Sequence, residues 1–169
     1  MLVLDTSAFI MGFNPSKTTE AYSVQAVEEE LSAGTMPQLR FRMFSEKGEL
    51  KVQTPSPRAQ GIVEDASSRA GESGYLSKAD REVLALAMDL KLDGHEPVIV
   101  SDDYAIQNLA EHLQIGHSSL ANFGIVHRFD WIMYCPACYR RYRPPAKKCR
   151  VCGTELRRKV LSKKKAVRR

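Results

Sequence analysis

Four cysteines occur in the chain, as CPAC at Cys135–Cys138 and CRVC at Cys149–Cys152, with ten residues between the pairs. Each CxxC turn can present two thiolates from one tight loop, and four thiolates match the tetrahedral preference of Zn²⁺. Gly153 follows the second pair, where a close turn around a metal often needs positive φ. The reading is one structural Zn²⁺ held by Cys135, Cys138, Cys149 and Cys152. Iron accepts the same ligand set. Two disulfides would instead require an oxidising compartment, and no apolar signal stretch precedes the chain to deliver it there.

A second chemically capable set is acidic. Asp5 closes the apolar run MLVLD, Glu28, Glu29 and Glu30 lie within VEEEL, Asp80 lies in SKADREVLALA, and Asp102 and Asp103 follow PVIV. Clustered carboxylates bind hard divalent cations such as Mg²⁺ or Mn²⁺. Without a cation they repel one another and their pKa values rise. Phosphodiester hydrolysis needs an activated water, a neutralised phosphate and a stabilised leaving alkoxide, all of which carboxylate-held divalent ions supply. Each acid also has a plain structural role open to it. Asp5, Asp102 and Asp103 can cap helices. Ser77-Lys78-Ala79-Asp80 fits a capping box, and the three glutamates can be a solvated helix face. His95, His112, His117 and His127 are scattered and read as surface or packing residues. No Ser/His/Asp grouping or Gly-rich phosphate loop is visible.

The elements that must position these groups alternate between strand and helix. Met1–Asp5 reads as a buried strand, and TSAFIMGF as a short helix or turn closed by Gly12 and Asn14-Pro15. Val24, Val27 and Leu31 share a helical face that Gly34 ends. Residues 37–54 read as a helical stretch around Leu39–Phe44, a Lys47-Gly48 turn and a strand near Leu50–Gln53. A polar helix follows over about 58–70. Ser77 begins a helix whose stripe is Val83, Leu84, Leu86, Ala87 and Leu90, ended by Gly94. Pro97–Val100 is a buried strand, Asp103–Leu113 a helix, and short strands are expected near Ile115 and Gly124–His127. This alternation implies a parallel sheet covered on both faces. Ligands of such sheets bind beyond the carboxyl ends of the strands, where Asp5 and the Asp102-Asp103 pair both lie. At about 100° per residue Asp80 falls near the Val83/Leu84/Ala87 stripe and faces inward. Glu29 points away from the Val24/Val27/Leu31 face; Glu28 and Glu30 flank it, and spacing does not choose between them.

A chain of 169 residues holds one medium domain and a mini-domain. Its net charge of +5 divides unevenly: residues 1–125 carry 10 Lys+Arg against 18 Asp+Glu, and residues 126–169 carry 15 against 2. Such a split implies a basic arm for a polyanion on an acidic body. No apolar run approaches the roughly 20 residues that span a bilayer. The expectation is a soluble, cytoplasmic protein with no membrane partner.

The segments LVLDTSAFI, SVQAVEEEL, LSKADREVLALA and VIVSDDYAIQNLA, in that order over most of residues 1–115, resemble the PIN nuclease domain. A PIN domain followed by a CxxC…CxxC ribbon and a basic tail is similar to the archaeal form of the NIN-one-binding protein family. Those endonucleases trim the 3′ end of small-subunit ribosomal RNA precursor. The resemblance implies an α/β fold, a PIN-like parallel sheet flanked by helices, followed by a small Cys₄ zinc ribbon. The expected boundaries are a PIN domain over 1–125, the ribbon over 126–156 and a mobile basic tail over 157–169.

The same resemblance makes Asp5 the first metal-binding carboxylate. It selects Glu30, because the family's acid directly precedes an aliphatic residue like Leu31. It adds Asp80 and Asp103, places Ser101 where the family has Thr, and keeps Asp102 as a secondary catalytic candidate. Mg²⁺ or Mn²⁺ is the implied catalytic ion, and precursor ribosomal RNA within a pre-ribosomal particle the implied partner. The acidic body repels RNA, so Arg140, Arg141, Arg143, Lys147, Lys148, Arg150, Arg157, Arg158 and Lys159 are expected to grip phosphates. Tyr134, Tyr139 and Tyr142 interleave with these and could stack on unpaired bases or wrap the zinc core. The competing readings are a PIN toxin-like RNase and a non-catalytic RNA-binding assembly factor. A dead relic would tend to lose an acid, and none is missing.

Overall fold

Val, Leu and Ile in short uninterrupted runs are what a strand buried on both faces requires. The N-terminal run forms β1 (Leu2–Leu4) and PVIV forms β4 (Val98–Val100), with Val3, Leu4, Ile99 and Val100 almost wholly buried. The computed structural model describes residues 1–15, 19–72, 74–120 and 127–165. Between β1 and β4 the chain forms α1 (Thr6–Ile10), β2 (Ala21–Ser23), α2 (Gln25–Glu30), α3 (Met36–Glu46), β3 (Leu50–Val52), α4 (Pro57–Ala70) and α5 (Lys78–Leu92). After β4 come α6 (Tyr104–Leu113) and β5 (Gly116–Ser118).

The five strands make one parallel sheet in the order β3-β2-β1-β4-β5. Strand order reverses between β1 and β4, and ligands of open parallel sheets bind at such a switch point. Leu4 pairs in register with Val100, and the Asp5 amide donates to the Val100 carbonyl at 3.2 Å. That register sets Asp5 beside Ser101 and the two acids after it. The strand β2 was not anticipated from sequence. Ala-Tyr-Ser is neither an apolar run nor an alternation, yet all three residues are buried in a strand placed between β1 and β3, and the buried Ser23 hydroxyl donates to the Leu4 carbonyl at 2.8 Å.

Helix ends follow local chemistry. Ser77 and Asp80 make a reciprocal capping box on α5, whose Val83, Leu84, Ala87 and Leu90 are buried. Ser56 caps α4, and its amide and hydroxyl both donate to Asp89 of α5 at 2.6 Å. Phe9 and Phe41 pack at 5.1 Å between centroids, joining α1 to α3.

A second, antiparallel sheet of order β7-β6-β8 comprises β6 (His127–Tyr134), β7 (Arg141–Tyr142) and β8 (Arg157–Lys165). Arg157–Lys165 therefore is not a free basic tail: it pairs along β6 from Tyr134↔Arg157 to His127↔Lys165, with an irregularity at Asp130/Trp131. Backbone pairing along the full length of β6 orders a segment whose like charges alone would leave it extended in solvent. The strand expected near Gly124 begins at His127, and residues 121–126 lie outside the described residues.

One carboxylate joins the two sheets. Glu72, 2 % exposed, follows α4, and its Oε1 accepts from Asn108 Nδ2 at 3.0 Å, Trp131 Nε1 at 2.8 Å and Arg158 Nη2 at 2.8 Å. The Arg158 guanidinium also lies 3.6 Å from the Trp131 ring centroid and 4.3 Å from that of Tyr75. Gly71, just before Glu72, has φ 80°, and a Cβ there would come within 3.1 Å of Trp131 and 3.0 Å of Pro144. Only glycine allows both that conformation and that approach. Removing one partner of a buried ion pair leaves the other charge uncompensated. Glu72→Ala is accordingly expected to cost about 3 kcal/mol in urea unfolding, with Glu72→Gln, which keeps an acceptor for Trp131 and Asn108, costing clearly less.

Candidate active site and cysteine metal centre

Asp5 is 4 % exposed at the end of the central strand. Its Oδ2 accepts from the Ser101 hydroxyl at 2.8 Å, the Ser7 hydroxyl at 3.0 Å and the Ser7 amide at 3.5 Å, capping α1. Its Oδ1 is buried without a hydrogen-bond partner among the described residues. Burial pushes the Asp5 carboxyl above its ordinary range, against the lowering pull of those hydrogen bonds.

The other acids repeat this arrangement. Asp80 accepts from the Ser77 amide through Oδ2 at 2.7 Å. Asp103 caps α6, its Oδ1 accepting from the Ala105 amide at 2.6 Å while its own amide donates to the Ser101 hydroxyl at 3.1 Å. Glu30, last residue of α2, accepts from the Thr6 hydroxyl through Oε2 at 2.9 Å. Each carboxylate thus has one oxygen held by a protein donor. Burial again raises the Asp80 carboxyl, and the charges of Asp5 and Asp103 add to the rise.

Glu28 and Glu29 are used differently. Glu28 pairs with Arg42 at 2.7 Å and Glu29 with Lys78 at 3.1 Å, leaving Glu30 as the member of VEEEL tied to α1. Asp102 points at the end of β5: its Oδ1 accepts from the Ser119 hydroxyl and, at 2.9 Å, from the Leu120 amide. It belongs to the frame beside the acids, with its amide donating to the Ser7 hydroxyl at 3.1 Å. Ser7 and Thr6 carried no sequence signal of their own, since two hydroxyls after an acid read simply as helix start.

The residues fit a divalent cation. An orphaned buried carboxylate oxygen among further acids is a costly arrangement that a cation relieves. Among the described residues, only the four cysteines bring three or more ligand atoms within 4.8 Å of one another. The acids stand in a more open array, which suits an ion that keeps waters and binds through few carboxylates.

The cysteine cluster is closed by contrast. Cys135 and Cys152 sulfurs are 3.4 Å apart, Cys138 and Cys149 3.5 Å, and Cys138 and Cys152 3.9 Å. These separations are close to the edges of a tetrahedron that could hold a single ion, about 3.8 Å for metal–sulfur bonds near 2.3 Å, and no disulfide joins the cysteines. The knuckles match each other: Tyr139 N donates to Cys135 O at 2.9 Å and Gly153 N to Cys149 O at 3.0 Å, with φ of 58° and 72°. The Tyr142 hydroxyl lies 3.0 Å from Cys149 Sγ, and that hydrogen bond draws the Cys149 thiol down to about 5. Tyr142 therefore serves the cysteine core, while Tyr139 is 77 % exposed.

Arg140, Arg141, Arg143, Lys147, Lys148, Arg150, Arg157 and Lys159 are exposed around this cluster. Arg158, expected among the phosphate-gripping residues, is instead turned inward and held by Glu72. Its partner is a buried carboxylate, far stronger competition than any single phosphate in water.

A parallel α/β sheet with acids at its switch point, followed by a four-cysteine ribbon, is the architecture of a PIN-type nuclease. The sequence profile of a family described as the PIN domain of ribonuclease matches residues 2–90. Endoribonuclease Nob1 of Methanothermobacter thermautotrophicus is 37 % identical over 164 residues, 93 % of this chain and 91 % of its own. Endoribonuclease Nob1 of Pyrococcus abyssi is 35 % identical over 158 residues, 92 % and 91 % of the two chains. Ribonuclease VapC1 of Thermoplasma acidophilum is 30 % identical over 167 residues, 99 % and 82 %. The chain belongs to the PIN-domain ribonuclease family and is a metal-dependent endoribonuclease.

A raised folded-state pKa means the native Asp5 carboxyl holds its proton more tightly than the unfolded chain does. Native stability without a cation then falls as pH rises from the ordinary value of 3.8 through the raised one. Asp5→Asn removes that fall. In buffer without added Mg²⁺ or Mn²⁺ the variant should be more stable than wild type at pH 7, and the difference should shrink towards pH 4. Added Mn²⁺ should raise the thermal midpoint of wild type and not of the variant.

Proposed function

We propose that this chain is the endoribonuclease that cleaves at the 3′ end of small-subunit ribosomal RNA precursor during ribosome biogenesis, acting in the cytoplasm on a pre-ribosomal particle. Similarity to archaeal Nob1 proteins across both the PIN body and the ribbon supports the substrate. Supporting the location, no helix of the described residues is long and apolar enough to cross a membrane.

Asp5, Glu30, Asp80 and Asp103 would hold Mg²⁺ or Mn²⁺, and Asp102 would keep the β4 and β5 ends in place. The single observation that carries this reading is Asp5: two hydroxyls fix one oxygen and the other is buried without a partner. Bound there, the ion supplies charge for the phosphate and lowers the pKa of a bound water. Ser7 and Ser101 hold the Asp5 carboxylate in one rotamer, and Thr6 does the same for Glu30. Such prepositioning spares the reorganisation that solvent would require. The cysteines hold one Zn²⁺, which orders a segment too small to fold around an apolar core. The exposed arginines and lysines around it contact RNA phosphates and offset repulsion by the acidic body.

Asp5→Asn, and likewise Asp80→Asn, should lower cleavage of a 3′-extended small-subunit RNA fragment at least a thousandfold with RNA affinity equal or higher. Retained turnover in Asp5→Asn protein would remove the catalytic assignment. Equal cleavage of transfer or messenger RNA would favour a toxin-like RNase, and binding without cleavage an assembly factor.

The grip should be separable from the chemistry. Arg140, Arg141 and Arg143 changed together to Ala should weaken RNA binding and flatten the log K against log salt slope by about 2 units. Charge replacement is the cleaner test, because truncation would also strip Trp131 and Arg158 from Glu72.

A further inference from the structure

A cavity of about 390 Å³ opens where the two sheets meet, lined by Tyr75, Tyr104, Trp131, Glu72, Arg158 and Asp103 among others. Its volume is within the range of small-molecule sites, and three of its walls are aromatic. Tyr75 and Tyr104 are each 60 % exposed, so their rings remain accessible. Glu72 and Arg158 are paired at 2.8 Å and cancel in charge. A phosphate entering would meet no surplus cation and would be repelled by Asp103. A neutral planar group meets neither penalty.

Glu72 Oε2 and Arg158 Nε are themselves buried, so a ligand here meets the exposed tyrosines rather than these polar atoms. Asp103 is at once a wall of the cavity and one of the four acids. A nucleotide with its phosphate at the acids therefore has a neighbouring base within reach of the aromatic walls.

We propose that this cavity is a nucleobase subsite: an unpaired base next to the cleaved phosphate turns out of the strand and stacks on Tyr104 and Tyr75. The inference rests on the acids being the cleavage site. It gives the enzyme a requirement for unpaired RNA at the cut, since a base held in a helix cannot enter.

Trp131 is the only tryptophan of the chain, so its fluorescence reports the cavity. A six-nucleotide single-stranded RNA titrated into the full-length, zinc-loaded protein without Mg²⁺ or Mn²⁺ should quench that fluorescence. It should bind about tenfold more tightly than an abasic oligomer of equal length and charge, the size of one base–aromatic stack. Tyr104→Ala should abolish the advantage and Tyr104→Phe should keep it. Equal affinity for the two oligomers, or an advantage that survives in both Tyr104→Ala and Tyr75→Ala, would overturn the proposal. Cleavage assays with Mn²⁺ on the same samples separate it from the reading beneath it. Cleavage lost in Asp5→Asn without base-dependent binding rejects the subsite alone. Base-dependent binding in a wild-type chain that does not cleave keeps the subsite as a base-binding pocket and rejects the catalytic reading.

Discussion

Four carboxylates, contributed by four separate segments, each have one oxygen fixed by a donor of the protein, and the other oxygen of Asp5 is buried without a partner among the described residues. The fixed oxygens answer to Ser7 and Ser101, Thr6, the Ser77 amide and the Ala105 amide. Three of these contacts are helix caps, so the interactions that start α1, α5 and α6 also aim the acids. The capping and functional readings of Asp5, Asp80 and Asp103 do not exclude each other, because a carboxylate has two oxygens and a cap occupies one.

That arrangement depends on the strand order. Placing β1 beside β4, with Leu4 opposite Val100, is what sets Asp5 against Ser101. Packing α5 across the same two strands then carries Asp80 to the same end of the sheet. Like charges crowded and partly buried this way oppose folding, as the raised Asp5 and Asp80 carboxyls record. The apolar core beneath, with Val3, Leu4, Leu84 and Ile99 fully enclosed or nearly so, supplies the stability that tolerates them. The same charge repels phosphate, while most of the basic residues lie on the second sheet and the cysteine ribbon.

Much of this was legible in the sequence because it depends on local signals. The PVIV run, the Ser77–Asp80 box and the valine–leucine stripe of α5 each declare an element within a few residues. The two CxxC pairs declare the metal cluster by spacing alone. The three-residue strand β2 was not legible, since its burial comes from neighbours distant in sequence. Nor was the pairing of β8 with β6, where composition argued for a charged tail and only the partner strand orders it. Glu72 and Arg158 looked like one more surface acid and one more base. Their role follows from Trp131 and Asn108 arriving at the same point from two other elements, which no periodicity encodes. The choice of Glu30 over Glu28 came from family resemblance; in the structure Glu30 accepts from Thr6 while Glu28 pairs with Arg42.

The central claim is that Asp5, Glu30, Asp80 and Asp103 form a divalent-cation site. Crystals of the full chain soaked in Mn²⁺ and measured for anomalous scattering near the manganese edge test it directly. The expected result is a peak at bonding distance from Asp5 Oδ1 and at least one oxygen of Asp80 or Asp103, absent in Asp5→Asn crystals treated alike. No peak at these carboxylates, or one that persists unchanged in Asp5→Asn, would contradict it.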